Sequence, residues 1–234
     1  MKIDTNEEYI KKLAQKLDIE KMGVEELRKS FIHRSYLNEN HSEGLESNER
    51  LEFLGDAVLE VIVTKYLFNN FRYPEGELTA LRSALVRGKN LSNIAEMLEL
   101  DKCIYLSEGE KKNEGKARSL ILANTFEALI GNIYLCLGVP KSEEIINKYV
   151  ISKLNEIIEN KLYIDNKSAF QEIVQSKTKI TPVYKLIKDE GPDHSKEFTV
   201  GVYIGDELVA VGTGSSKNKA EQEAAREAIK KKFN

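Results

Sequence analysis

Three acidic residues, Glu49, Glu52 and Asp56, stand at offsets 0, 3 and 7 within the segment Ser47–Leu59. A helix advances about 100° per residue, which puts all three within about 60° on one face. Leu51, Leu54, Val58, Val61 and Ile62 fall opposite. Stacked carboxylates supply the oxygen ligands a hard divalent cation takes; the same spacing also suits a solvated acidic face. An ordinary solvated helix intersperses Lys among such acids, yet only Arg50 interrupts the run. Ser47 or Asn48 caps the helix start, and Gly55 keeps the space beside Asp56 free of a side chain.

A second candidate lies in the stretch 118–137, which is apolar nearly all round and reads as a central buried helix. Two of its polar residues, Asn124 and Glu127, are three apart and share a face. A buried, unpaired carboxylate costs several kcal/mol, on the order of 3–5. Glu127 therefore needs a partner: a cation shared with the acidic helix, or an arginine such as Arg118.

The third is Gly212-Thr213-Gly214-Ser215-Ser216-Lys217-Asn218-Lys219-Ala220, leading into a helix of good formers. Free N–H groups at a helix start attract phosphate. Ser215 and Ser216 can donate to it, and Lys217 and Lys219 add charge where cations are otherwise disfavoured. His33, in Phe31-Ile32-His33-Arg34-Ser35-Tyr36, reads as a hydrogen-bonded structural histidine rather than a ligand.

The elements that must position these residues change character along the chain. Helical spacing runs through 6–18, from Glu25, from the acidic run to about Phe71, through 77–86, 90–98, 118–137 and 143–159, with no strand pattern before 165. Tyr73-Pro74-Glu75-Gly76 and Val139-Pro140 break helices, and 108–118 is a charged loop. The period then shifts. A short helix capped by Ser168 is followed by strands at 182–188, 198–204 and 208–211, the last two joined by a Gly205-Asp206 turn, and by a helix over 217–232. The expected organisation is an all-α domain (1–160), a polar linker (161–167) and a small α-β-β-β-α domain (168–234).

Composition sets outer bounds. The chain has 234 residues, 41% hydrophobic and 31% charged, which suits one or two soluble domains. The net charge of −3 advertises no nucleic-acid partner by bulk field. Residues 165–234 carry 12 Lys and Arg against 11 Asp and Glu, so phosphate binding must come from local placement. No apolar run approaches the ~20 residues a membrane span needs, and the N-terminus lacks a signal-peptide core. Cys103 and Cys136, in Leu-rich surroundings without metal-ligand spacing, read as reduced core residues of a cytoplasmic protein.

Asn48 to Leu59, NERLEFLGDAVL, resembles the signature of the bacterial ribonuclease III family almost letter for letter. Phe31–Asn38 resembles the segment preceding it, and Gly212–Ala220 with the α-β-β-β-α order resembles a double-stranded-RNA-binding domain. The resemblance covers nearly the whole chain. It implies an endoribonuclease that hydrolyses double-stranded RNA with Mg²⁺ (Mn²⁺ substituting), leaves 5′-phosphates and short 3′-overhangs, acts as a homodimer, and processes rRNA precursors and other structured transcripts. It assigns Glu52, Asp56, Asn124 and Glu127 to the metal, with Asp56 and Glu127 carrying the chemistry and Glu49 assisting. It assigns duplex contacts to Gln171 and Glu172 on one helix, His194 in a strand loop, and Ser215, Ser216, Lys217 and Lys219. Two departures stand out. Asn124 replaces an Asp common in the family, removing one negative charge from the site, and Asn218 replaces a residue that is more often basic. The first keeps a rival in view, a non-cleaving double-stranded-RNA-binding protein on the same fold.

Overall fold

The structure, a computed structural model, describes residues 5–40, 44–112, 114–192 and 196–233. Packing divides it into two units, Met1–Tyr163 and Ile164–Asn234.

The first unit is helical. α1 (Thr5–Leu17) buries Ile10, Leu13 and Leu17, the face its spacing predicts. The short α2 (Val24–Arg28) and α3 (Arg34–Glu39) follow. α4 (Glu49–Asn70) carries the acidic run and ends where Phe71 turns extended. α5 (Glu75–Leu85) and α6 (Gly88–Met97) bury Leu81, Leu85, Leu91 and Ile94. α7 (Lys116–Tyr149) is the apolar helix, and it packs along α4. Its expected end is instead a kink: Gly138 leaves helical geometry at φ 75°, ψ −174°, and helix resumes directly after it with Pro140 in its first turn. Glycine accepts the positive φ, and proline is tolerated at the first turn of the resumed helix. The helix expected over 143–159 is thus divided between the end of α7 and α8 (Leu154–Glu159), with a 3₁₀ turn at Ile151–Lys153 between them. Phe31, Leu59, Phe126, Leu129 and Ile130 lie at the centre of the core.

Several surfaces differ from the sequence reading. Val61, expected inward, is 67% exposed, and Phe53 and Phe68 are 82% and 66% exposed. With Ala57, also exposed, they form a second apolar stripe on α4, off the face that meets α7. Leu120 and Leu135 are also exposed, so α7 is central without being covered all round. Cys103 is buried and Cys136 exposed, both as free thiols. A window within 116–159 is long and apolar enough to cross a membrane by length and composition, where none was expected; 61% of it is buried, as in a core helix.

The second unit runs α9 (Asn166–Thr178), β1 (Val183–Glu190), β2 (Glu197–Ile204), β3 (Glu207–Gly214) and α10 (Lys217–Phe233). The sheet is antiparallel in the order β1-β2-β3. Phe170 and Val174 of α9, Val202 and Ala210 of the sheet, and Ala224, Ala225 and Ala228 of α10 form its core. α9 starts earlier than expected because Asp165, not Ser168, is its cap; its carboxylate accepts from the N–H groups of Lys167 (3.1 Å) and Ser168 (3.2 Å). Gly205 takes φ 60° in the β2–β3 turn, as a primed hairpin turn requires. β3 runs three residues beyond Val211, with a register shift opposite Val202 and Tyr203.

Candidate active site and nucleic-acid interface

The acidic face of α4 is fixed at its N-terminus by buried amides. Asn48 is the cap residue, but its side chain makes no cap bond. Its Nδ2 instead donates to the Ser30 carbonyl at 3.0 Å, and its N–H to the Ile32 carbonyl at 2.9 Å. Asn132 of α7 grips the same segment, its Nδ2 donating to the Glu26 carbonyl (2.8 Å) and Ser30 Oγ (2.9 Å). Both amides are almost fully buried, where an unmade bond costs about 1–3 kcal/mol. One stretch of chain therefore sets the start of α4 against α7.

Further along, the two helices meet backbone to backbone. A Cβ placed on Gly55 would lie 1.8 Å from the carbonyl oxygen of Glu127. The expectation that Gly55 spares room beside Asp56 is met by a different neighbour, the α7 main chain.

This packing brings Glu52 and Asp56 of α4 to Asn124 and Glu127 of α7. Glu127 is half-buried. Burial, then the charges of Asp56 and Glu52, push its pKa up from 4.5 to about 7. Glu52 is also half-buried, and its pKa is raised, chiefly by burial, against a hydrogen bond from Asn124 that lowers it. A carboxylate only accepts, so the Asn124 amide nitrogen is the donor. Asp56 and Glu49 are exposed. Glu49 accepts from Ser47 Oγ at 3.0 Å and pairs with Arg34 at 3.5 Å, a solvent-exposed contact of small weight. Among the described residues no Lys or Arg forms an ion pair with Glu127, Arg118 included. No three His, Cys, Asp or Glu side chains among the described residues stand close enough to hold an ion as placed. His33 is the cap of α3: its Nδ1 accepts from the Ser35 N–H at 3.2 Å. Burial lowers its pKa.

In the second unit, β3 delivers the chain to the start of α10. A Cβ on Gly212 would lie 2.1 Å from the Ala224 nitrogen, and one on Gly214 2.7 Å from the Ala220 nitrogen. Ser216 caps α10, its Oγ accepting from the Lys219 N–H at 3.3 Å and its carbonyl from the Ala220 N–H. Lys217, Lys219 and Ser215 are exposed, with Lys219 Nζ donating to Ser215 Oγ at 2.9 Å. Gln171 and Glu172 are exposed on the first full turns of α9. His194 lies outside the described residues.

Residues the sequence reading passed over are Asp165, Asn132 and Gly131. Only Asp165 carried a local signal, an Asx residue just before a helical run.

Comparison with known proteins agrees with both halves. Residues 25–154 match a family described as ribonuclease-III-like, and residues 166–232 match the double-stranded RNA binding motif. A protein named ribonuclease 3 from Pelotomaculum thermopropionicum is 43% identical over 206 residues, covering 88% of this chain and 86% of that relative. Ribonuclease 3 of Nitratiruptor is 40% identical over 225 residues, 96% of this chain and 95% of the relative. A solved nuclease domain of ribonuclease III from Campylobacter jejuni, described with structural flexibility in a region involved in dimer formation, superposes with a TM-score of 0.54 at 39% identity, covering 60% of this chain and 95% of that one. The chain belongs to the ribonuclease III family.

Proposed function

We propose that this protein is a divalent-metal-dependent endoribonuclease that hydrolyses double-stranded RNA, with Mg²⁺ as its ion. The observation that carries the reading is Glu127, half-buried beside Glu52 and Asp56 without a basic partner. A cluster of oxygen donors that repel one another and lack a cation fits a hard divalent ion. Glu52, Asp56 and Glu127 would hold it, and the Asn124 amide oxygen would add a neutral ligand, directly or through water.

A bound Mg²⁺ supplies a Lewis acid for the scissile phosphate and makes water a better nucleophile at neutral pH. The chain's own residues do the rest. The buried amides of Asn48 and Asn132 hold α4 and α7 in one register. Glu127 and Asp56 would orient water and accept its proton, and Glu49 would support them without holding the ion. In the second unit the α10 start, with Ser215, Ser216, Lys217 and Lys219, binds phosphate, and Gln171, Glu172 and His194 reach the minor groove. A-form shape and 2′-hydroxyls, not base edges, then select the substrate.

Two acidic clusters are needed to cut both strands, so the working unit is a homodimer. The uncovered Phe53, Val61 and Phe68 stripe supports this, since a monomer gains nothing by exposing it. The products expected are 5′-phosphate ends with short 3′-overhangs, and the cellular role is processing of rRNA precursors and other structured transcripts in the cytoplasm.

The test is incubation of the purified chain with a long RNA duplex. Mg²⁺ should give short duplex products and EDTA none, while single strands and DNA duplexes survive. A duplex that stays bound but intact at saturating Mg²⁺ would establish the non-cleaving binding protein instead.

A further inference from the structure

One cleft of the first unit takes no part in the chemistry proposed above. It lies between α6 and the segment that runs from the 3₁₀ turn at Ile151–Lys153 through α8 to Leu162, and its volume is about 440 Å³. Arg87, Lys89 and Lys153 line it against one acid, Glu156. This is a local excess of positive charge in a stretch, residues 1–164, that carries 23 Lys and Arg against 27 Asp and Glu. Lys153 reaches Glu156 only at 4.0 Å. Arg87 and Lys89 are exposed and form no ion pair among the described residues. Charges of one sign gathered in a concavity focus a field that draws in an ion of the other.

The rest of the lining is of another kind. Ile94 and Ile157 are almost fully buried, while Met97 and Leu162 beside them are 49% and 48% exposed. An apolar recess with a few polar groups, at a volume within the ~300–1,000 Å³ range, is the make-up of a small-molecule site. Inorganic phosphate would use only the cations, and an uncharged apolar molecule only the recess. The ligand that uses both is an anion with an apolar body. The exposed Asn93 side-chain amide makes no hydrogen bond among the described residues. It offers a donor and an acceptor, which a base edge can use and an acyl chain cannot. Arginine's planar fork takes phosphate oxygens in pairs, and methionine's soft side chain packs well against rings. We propose that this cleft binds a nucleoside monophosphate, its phosphate on Arg87 and Lys89 and its base against Met97, Leu162 and the two isoleucines. A duplex laid across the mouth offers the same phosphates, so the test has an arm for each source.

The measurement is calorimetric titration of the full chain in EDTA, which keeps divalent ions away from the acidic site. The probes are the four common ribonucleoside 5′-monophosphates, the matching nucleosides and inorganic phosphate. At least one nucleotide should bind about tenfold or more tighter than its nucleoside or phosphate alone, because charged hydrogen bonds and apolar contact then act together. Arg87→Gln with Lys89→Gln should weaken that nucleotide by about tenfold or more, since two charged donors to phosphate are lost, and leave the nucleoside as it was. Met97→Ser should weaken nucleotide and nucleoside alike and leave phosphate unchanged. The altered side chains are exposed, so melting temperatures should stay within roughly 2 °C of the unaltered chain. Duplex RNA should bind the Arg87→Gln, Lys89→Gln variant as it binds the unaltered chain. The proposal is overturned if no nucleotide binds more tightly than its two halves, or if nucleotide affinity survives the loss of both cations. Duplex binding that weakens in that variant, with no nucleotide bound by the unaltered chain, would give the cations to the duplex and overturn it as well.

Discussion

Glu127→Gln in the absence of divalent ions should make the protein more stable at pH 8 and nearly unchanged at pH 5. The folded chain raises the Glu127 pKa from 4.5 to about 7, mainly by burial and then by the charges of Asp56 and Glu52. A carboxyl with a raised folded pKa favours folding while protonated, and that advantage is lost as pH rises from the unfolded value through the folded one. At 1.36 kcal/mol per pH unit the shift corresponds to about 3 kcal/mol. Partial exposure of the carboxyl lets water screen part of this, leaving about 1–2 kcal/mol. For a unit of this size that is a difference of about 4 °C in melting temperature. Glutamine keeps the shape and stays neutral, so it should resemble the protonated acid. His33, whose pKa burial lowers, acts in the opposite sense: it gains stability as pH rises toward 6.5. It is present in both proteins and cancels in the comparison. The assay is thermal unfolding in EDTA from pH 5 to 8. Saturating Mg²⁺ at pH 8 should reverse the order, because only the ionised carboxylate gains from the ion. Coincident curves at pH 8 in EDTA would show that Glu127 is not held among repelling acids.

Three further expectations follow from particular residues. Asn124→Asp replaces the donor to Glu52 with another carboxylate; it should lower the Mg²⁺ concentration for half-maximal cleavage, with Asn124→Ala raising it and the rate at saturation changing much less in Asn124→Asp. A Mg²⁺ titration of cleavage decides this, and an Asn124→Ala curve matching the unaltered chain would remove Asn124 from the ion's surroundings. Lys217→Ala with Lys219→Ala should weaken duplex binding and flatten its dependence on log salt by up to about two units of slope, roughly one for each phosphate no longer neutralised. An unchanged slope in a salt titration would place the phosphate-binding groups elsewhere. Phe53→Glu places a charge in the uncovered α4 stripe and should give monomers in sedimentation equilibrium, whereas an undisturbed dimer would place the interface on another surface.

The sequence and the structure agree most where one element suffices to specify the answer. Helical spacing located α4 and the acids on it, and alternation located Val200, Val202 and the hairpin at Gly205. What escaped depends on partners distant in sequence. Periodicity separates an apolar stripe from a polar one but cannot say which of two apolar stripes is covered, so it groups the exposed Val61 with the buried Ile62. Ser168 and Asp165 both fit a helix cap, and Gln222, 57 residues away, favours Asp165 by donating to its carboxylate at 2.8 Å. Gly131 looks like any small residue in an apolar helix until Leu51 is brought against it. Asn48 fitted a local cap, but the Ser30 carbonyl takes its side chain.

The most direct test of the account pairs cutting with binding in one folded variant. Glu127→Ala should bind a long RNA duplex with an affinity within about twofold of the unaltered chain, because phosphate contacts dominate duplex affinity and these are assigned to the second unit. Under saturating Mg²⁺ it should leave that duplex intact while the unaltered chain cuts it to short products. Cleavage by Glu127→Ala at an undiminished rate, or a loss of binding together with cutting in a protein that remains folded, would contradict it.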